Sequence, residues 1–131
     1  RVFVARPPLF DEIDAAFHIA GKPVFFAFGD RIFNPAGVPI PPAIMAHEAV
    51  HGERQQAYDG GIEAWWRRYI ADPEFRLLEE LLAHKVEYEH LCVGRPRNER
   101  RFYLRQVAGK LSAPLYGNLI TFDRARAALR R

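Results

Sequence analysis

The chain has 131 residues, 49% of them hydrophobic and 27% charged, with a formal net charge of +3. That is one domain's worth of sequence with an ordinary globular balance, which excludes global disorder and allows a core without disulfide staples. A lone cysteine, Cys92, excludes an intrachain disulfide and a two-cysteine zinc knuckle, and Ser112 and Thr121 are the only serine and threonine, so side-chain nucleophile chemistry has three candidates in all.

No run approaches the roughly 20 apolar residues of a membrane span, and no signal peptide is visible, so an intracellular, cytoplasmic chain is expected. The chain opens on Arg1 rather than Met, with the expectation that a short piece precedes it. Charge is unevenly spread. Residues 1–42 carry four basic and four acidic side chains, residues 43–94 five and ten, and residues 95–131 ten and two, or +8. The basic tail is expected to pack beside the acidic middle and otherwise to face solvent. With no RNP, zinc-finger or GxxG signature and no dense Lys/Arg block, nucleic acid is not the expected partner.

In chain order, Leu9 to Ala20 reads as a short helix, with Phe10, Ile13, Ala16 and Phe17 at helical spacing. Pro23 to Phe28 has high β propensity, Gly29-Asp30 marks a turn, and Arg31-Ile32-Phe33 reads as a return strand. Asn34 to Gly37 is a second turn. A helix follows from Pro42 to Tyr58, stopped by Asp59-Gly60-Gly61. Ile62 to Ile70 is a shorter, aromatic-rich segment. Asp72-Pro73-Glu74 is a helix start for a segment running to Cys92 and stopping at Gly94. Asn98 is expected to cap a helix from Glu99 to Leu111, buried through Tyr103, Leu104, Val107 and Leu111. One or two helical stretches cover Ala113 to Leu129. The fold class is therefore α+β: one domain over 1–131, with a small N-terminal β region followed by a mostly helical half.

The most specific local pattern is His47-Glu48-Ala49-Val50-His51. On a helix the two histidines are one turn apart on one face, so both imidazoles can reach one ion. Zinc accepts neutral imidazole and leaves a position for water. Glu48 stands about 100° around the helix, able to touch that water without binding the ion, and so to serve as general base. Ala43, Ala46, Val50 and Ala57 form a small-residue stripe suited to packing, while Ile44, Arg54 and Tyr58 share the histidine face. A catalytic zinc usually takes three protein ligands, and the residues after His51 offer no third histidine at HExxHxxGxxH spacing. The third ligand is expected on the helix after Pro73, where Glu80, His84 and Glu87 share one face. Glu80 is the choice and Glu79 the fallback. Leu78, Leu81, Leu82, Val86 and Cys92, with Phe75, cover the broad remaining face, and a helix this apolar is expected to be largely buried.

His47 to His51 followed by Glu80-Leu81-Leu82-Ala83-His84 resembles the gluzincin metallopeptidases, whose HExxH is followed by a later helix bearing ExxA and a polar residue. The size is similar to that of minimal gluzincin domains of phages and bacteria. The resemblance implies a zincin-like domain that binds Zn2+ through His47, His51 and Glu80 and hydrolyses peptide or protein substrates, with Glu48 as base. His84 stands where several such families have Asp, which leaves open whether it supports a ligand or is one. The resemblance further implies that Val24–Phe28 or Ile32–Phe33 offers a free edge for an extended peptide. Tyr58, Tyr88, His84, His90, Tyr103 and Tyr116 are the candidates to stabilise an oxyanion. The alternative is a latent or non-catalytic zinc-containing phage or bacterial accessory protein that acts by binding protein or nucleic acid.

Overall fold

The computed structural model describes residues 1–131. It is α+β, with six α-helices and one three-stranded sheet. The helices are α1 (Phe10–Phe17), α2 (Pro42–Ala57), α3 (Gly61–Ala71), α4 (Pro73–Cys92), α5 (Arg97–Leu111) and α6 (Phe122–Arg130), with a 3-10 turn at Pro114–Tyr116. The strands are β1 (Val2–Phe3), β2 (Phe26–Phe28) and β3 (Arg31–Phe33). No helix is long and apolar enough to cross a membrane.

The hairpin forms where expected. Gly29, at φ 62, takes the left-handed backbone that a tight two-residue turn requires, and β2 pairs antiparallel with β3 in the register Phe26↔Phe33, Ala27↔Ile32, Phe28↔Arg31. β2 starts at Phe26 rather than Val24, because the Val24 N–H is turned back onto the Lys22 carbonyl. β1 joins parallel to β3 and gives the order β1-β3-β2. Two residues are too short to carry an alternating pattern, so the sequence did not separate β1 from loop.

Helix ends follow their caps. Asp72 accepts from the N–H groups of Glu74 and Phe75 and Pro73 occupies the first turn, which fixes the start of α4. α1 ends at Phe17, not Ala20, because His18 adopts a left-handed backbone and the Asp14 carboxylate takes the Ala20 N–H. α5 begins at Arg97 behind Pro96, so Asn98 lies inside the first turn and caps nothing.

Two apolar clusters flank a polar seam. One gathers Phe10, Ile13, Phe26, Phe28, Phe33, Trp65, Trp66 and Tyr69 around the sheet, α1 and α3. The other joins α5 and α6 through Leu104, Val107, Ala108, Leu111, Ala125 and Leu129. α2 and α4 pack closely on each other, and they do so through polar faces. The buried residues of α2 are Ala43, His47, Glu48, His51, Gly52 and Gln55, whereas Ala57 is exposed. On α4, Arg76, Glu79, Glu80, His84 and Glu87 are buried, while Leu78 and Val86 are exposed. Of the expected apolar faces, Ala43 and Phe75 are buried and Leu81 packs on the second cluster, whereas Ala57, Leu78 and Val86 face solvent. Buried polar groups need partners, and each helix supplies the other's.

Gly52 lets this seam meet the sheet. A Cβ there would collide with the Gly29 carbonyl oxygen. One turn on, the fully buried Gln55 donates from Nε2 to the Ala27 carbonyl (2.9 Å) and accepts the Gly29 N–H at Oε1 (2.8 Å). Trp66 Nε1 also donates to the Ala27 carbonyl. The outer edge of β2 is therefore closed at Ala27, so the free edge expected for an extended peptide is not available there.

Candidate metal centre

The α2 helix places His47 and His51 one turn apart, with ring centroids 4.9 Å from each other. Their Nε2 atoms face a single carboxylate: His47 Nε2 is 3.4 Å from Glu80 Oε1 and His51 Nε2 is 3.1 Å from Glu80 Oε2. Donor atoms of these three residues lie within 4.8 Å of one another, and all three residues are buried. Glu80 Oε1 and His51 Nδ1 are buried without a hydrogen-bond partner. Two imidazole nitrogens and a carboxylate around an orphaned oxygen fit a divalent ion with an open position, as zinc takes in catalytic sites.

Glu79, the fallback, is turned to other work. Arg54 Nε donates to both its oxygens at 2.8 Å, and Trp65 Nε1 donates at 2.8 Å. Arg54, expected on the ligand face, is thus engaged by Glu79. One residue along a helix is a 100° rotation, enough to send adjacent carboxylates to different neighbours.

A ring of supports surrounds the trio. Glu87 Oε1 lies 2.9 Å from His47 Nδ1, and Lys110 of α5 donates to Glu87 Oε2 at 2.7 Å. With a carboxylate as acceptor, Nδ1 carries the proton and Nε2 is left for an ion. Tyr69 of α3 donates its hydroxyl to Glu80 Oε2 at 2.6 Å. His84 Nδ1 reaches the Glu80 main-chain carbonyl at 2.8 Å and Glu80 Oε1 at 3.3 Å, so it supports Glu80 rather than either imidazole. His47, His84 and Glu87 form a second close group, but Glu87 already holds His47 and the Lys110 ammonium, a cation that repels another. Tyr69 and the Glu87–Lys110 pair were not assigned roles from sequence. Glu87 shares the Glu80 face at i+7, which was the one available signal, whereas nothing in α3 tells which aromatic faces α4.

Electrostatics follow the same geometry. Burial alone would lower the His47 pKa, but Glu80, Glu87 and Glu48 outweigh it and raise it to about 10. Burial opposes ionisation of Glu80, yet the imidazoles of His51, His47 and His84 around its carboxylate hold it well below the usual carboxylate range. Glu48 is raised, by burial above all, against the pull of His47 and His51. Its carboxylate has no hydrogen-bond donor from the protein and sits 3.6 Å from His47 Nε2. Tyr69 and Tyr116 are pushed well above 10, first by burial and then by the Glu80 carboxylate.

Glu48 opens on a cavity of about 70 Å3, otherwise lined mainly by apolar side chains such as Ile13, Phe17 and Trp66. A second cavity of about 290 Å3 also reaches His47 and Glu48, beside Lys110 and His84. Val24, Phe25, Leu115 and Tyr116 line both. Of the six oxyanion candidates, Tyr116 and His84 are at the centre, with ring centroids 5.5 Å apart. Tyr58 instead accepts from Arg68, and His90 is exposed. No protein-family model matches the chain, and no curated protein or solved structure matches it.

Proposed function

We propose that the chain is a zinc-dependent metallopeptidase of gluzincin type, in which His47, His51 and Glu80 hold the ion and Glu48 is the general base. One observation carries this reading: two imidazole nitrogens from α2 and one carboxylate from α4 converge on a buried point beside a carboxylate that no protein donor occupies. A purely structural ion has no use for that fourth group. The order of a short sheet, an HExxH helix and a later helix bearing the third ligand supports a zincin-like arrangement.

Zinc bound there supplies a Lewis acid that polarises a carbonyl and acidifies a water. Glu48 takes the proton of the attacking water and delivers it to the leaving amine. Its raised proton affinity, caused chiefly by burial, suits both halves of that transfer. The Tyr116 hydroxyl, kept neutral by burial and by Glu80, donates to the oxygen on which charge develops. Glu87 fixes the His47 ring, and Tyr69 fixes Glu80. Elemental analysis of the purified protein is expected to find about one zinc per chain. Glu48→Gln is expected to keep the zinc and lose cleavage of a broad peptide library. Protein that stays metal-free at saturating zinc would overturn the proposal.

A latent form is the second reading, favoured by the narrowness of the 70 Å3 cavity that touches all three proposed ligands, which has room for a few waters but not for an extended peptide, whereas the 290 Å3 cavity reaches His47 alone of the three. Cleavage of the library by unmutated, zinc-loaded protein at a steady rate rules this form out. Zinc-loaded protein that cleaves nothing in the library supports it.

A further inference from the structure

The basic tail does not neutralise the acidic middle. Of its ten basic side chains, Lys110 reaches an acidic residue of the middle segment, Glu87, and Arg95 and Arg126 pair within the tail with Glu99 and Asp123. Arg97, Arg100, Arg101, Arg105, Arg124, Arg130 and Arg131 have no acidic group within 4.0 Å, and all are exposed. Their placement is ordered. Arg97, Arg101 and Arg105 follow one another at single-turn intervals along α5, about 6 Å apart. α5 packs on α6, and Arg130 stands at the end of α6. Phe102, 54% exposed, lies about 60° around α5 from Arg105 and about 100° from Arg101. Its ring meets Tyr103 edge-on, with centroids 5.5 Å apart, and is otherwise largely open to solvent.

We infer that this arginine-lined end of α5 and α6 is a binding surface for single-stranded nucleic acid, with the arginines taking backbone phosphates and Phe102 stacking on a base. A ladder of cations matches a regular polyanion, and an exposed aromatic ring selects unpaired bases over a duplex. The surface's arginines on α5 stand about 8 to 20 Å along the helix from Lys110, and none of them lines the cavities at the His47–His51–Glu80 group. It therefore stands or falls apart from the peptidase reading.

Fluorescence anisotropy of the full-length chain with a labelled oligothymidylate of about 20 nucleotides tests it. Four phosphate contacts give log K against log salt a slope of about −3, or an affinity loss of about 50-fold between about 50 and 200 mM salt. Arg101→Glu with Arg105→Glu, both at the surface, is expected to cut that slope by about 1.4 while leaving thermal unfolding unchanged. Phe102→Ala is expected to cost about tenfold on the oligothymidylate and to leave affinity for a duplex of equal length unaltered. Absent or salt-independent binding at about 50 mM salt overturns the inference. So does an unaltered affinity in the double variant, or binding to phosphatidylserine vesicles without binding to the oligothymidylate.

Discussion

Glu87 accepts the Nδ1–H of His47 at 2.9 Å while Lys110 holds its other oxygen at 2.7 Å. The His47 ring is thereby aimed with Nε2 toward Glu80. Glu87→Gln keeps the shape but removes the charge. It is expected to weaken zinc affinity by about 10- to 100-fold with little loss of thermal stability in the metal-loaded protein, read by competition with a chromophoric chelator. Unchanged affinity would show that His47 needs no such partner.

Adjacent glutamates on α4 are expected to respond oppositely. Glu80→Gln removes a ligand and should lower zinc affinity by more than about 100-fold while the chain still folds. Glu79→Ala strands Trp65 Nε1 and Arg54 and should cost about 3 kcal/mol in denaturant unfolding, with the zinc stoichiometry kept in the folded fraction. The reverse pattern would move the third ligand to Glu79.

In the metal-free protein the His47 pKa is raised to about 10, so His47 is protonated near neutral pH and an ion must displace that proton. Zinc binding at about pH 7.5 is expected to release about one proton, and affinity to climb about tenfold per pH unit until His47 deprotonates unaided. Calorimetry in two buffers of different ionisation enthalpy measures the release. The stability counterpart has a definite sign. A pKa raised above the unfolded 6.5 stabilises the metal-free fold in full below that value, and the contribution is lost as pH rises through about 10.

Gly52 marks the contact between α2 and the β2–β3 turn. Gly52→Ala must push α2 away from the Gly29 carbonyl and is expected to cost about 1–3 kcal/mol. Helix propensity alone favours alanine by about 1 kcal/mol. A more stable alanine variant would mean that the turn yields easily.

Tyr116→Phe separates rate from metal binding. Loss of one transition-state donor is expected to lower kcat by about 100-fold with zinc affinity unchanged. An equal fall in zinc affinity would assign Tyr116 to support of Glu80 instead.

The amino-acid sequence determined the local parts of this protein. The bounds of α2 and α4, the Asp72 cap, the hairpin at Gly29-Asp30 and the pairing of His47 with His51 all depend on neighbours a few residues apart, where backbone preference and helical spacing act. Glu80 was within reach because its face could be counted, although excluding Glu79 needed to show where Arg54 and Trp65 go. Only the tertiary structure decided which faces are buried. Periodicity reads an apolar stripe as inside, yet α2 and α4 bury their polar faces because each satisfies the other's charges, and Leu78 and Val86 are left to solvent. The same holds for Tyr69, Glu87 and Lys110, which meet the centre across 11, 40 and 23 residues of chain. Contacts of that separation are set by how helices dock, and no local pattern encodes them.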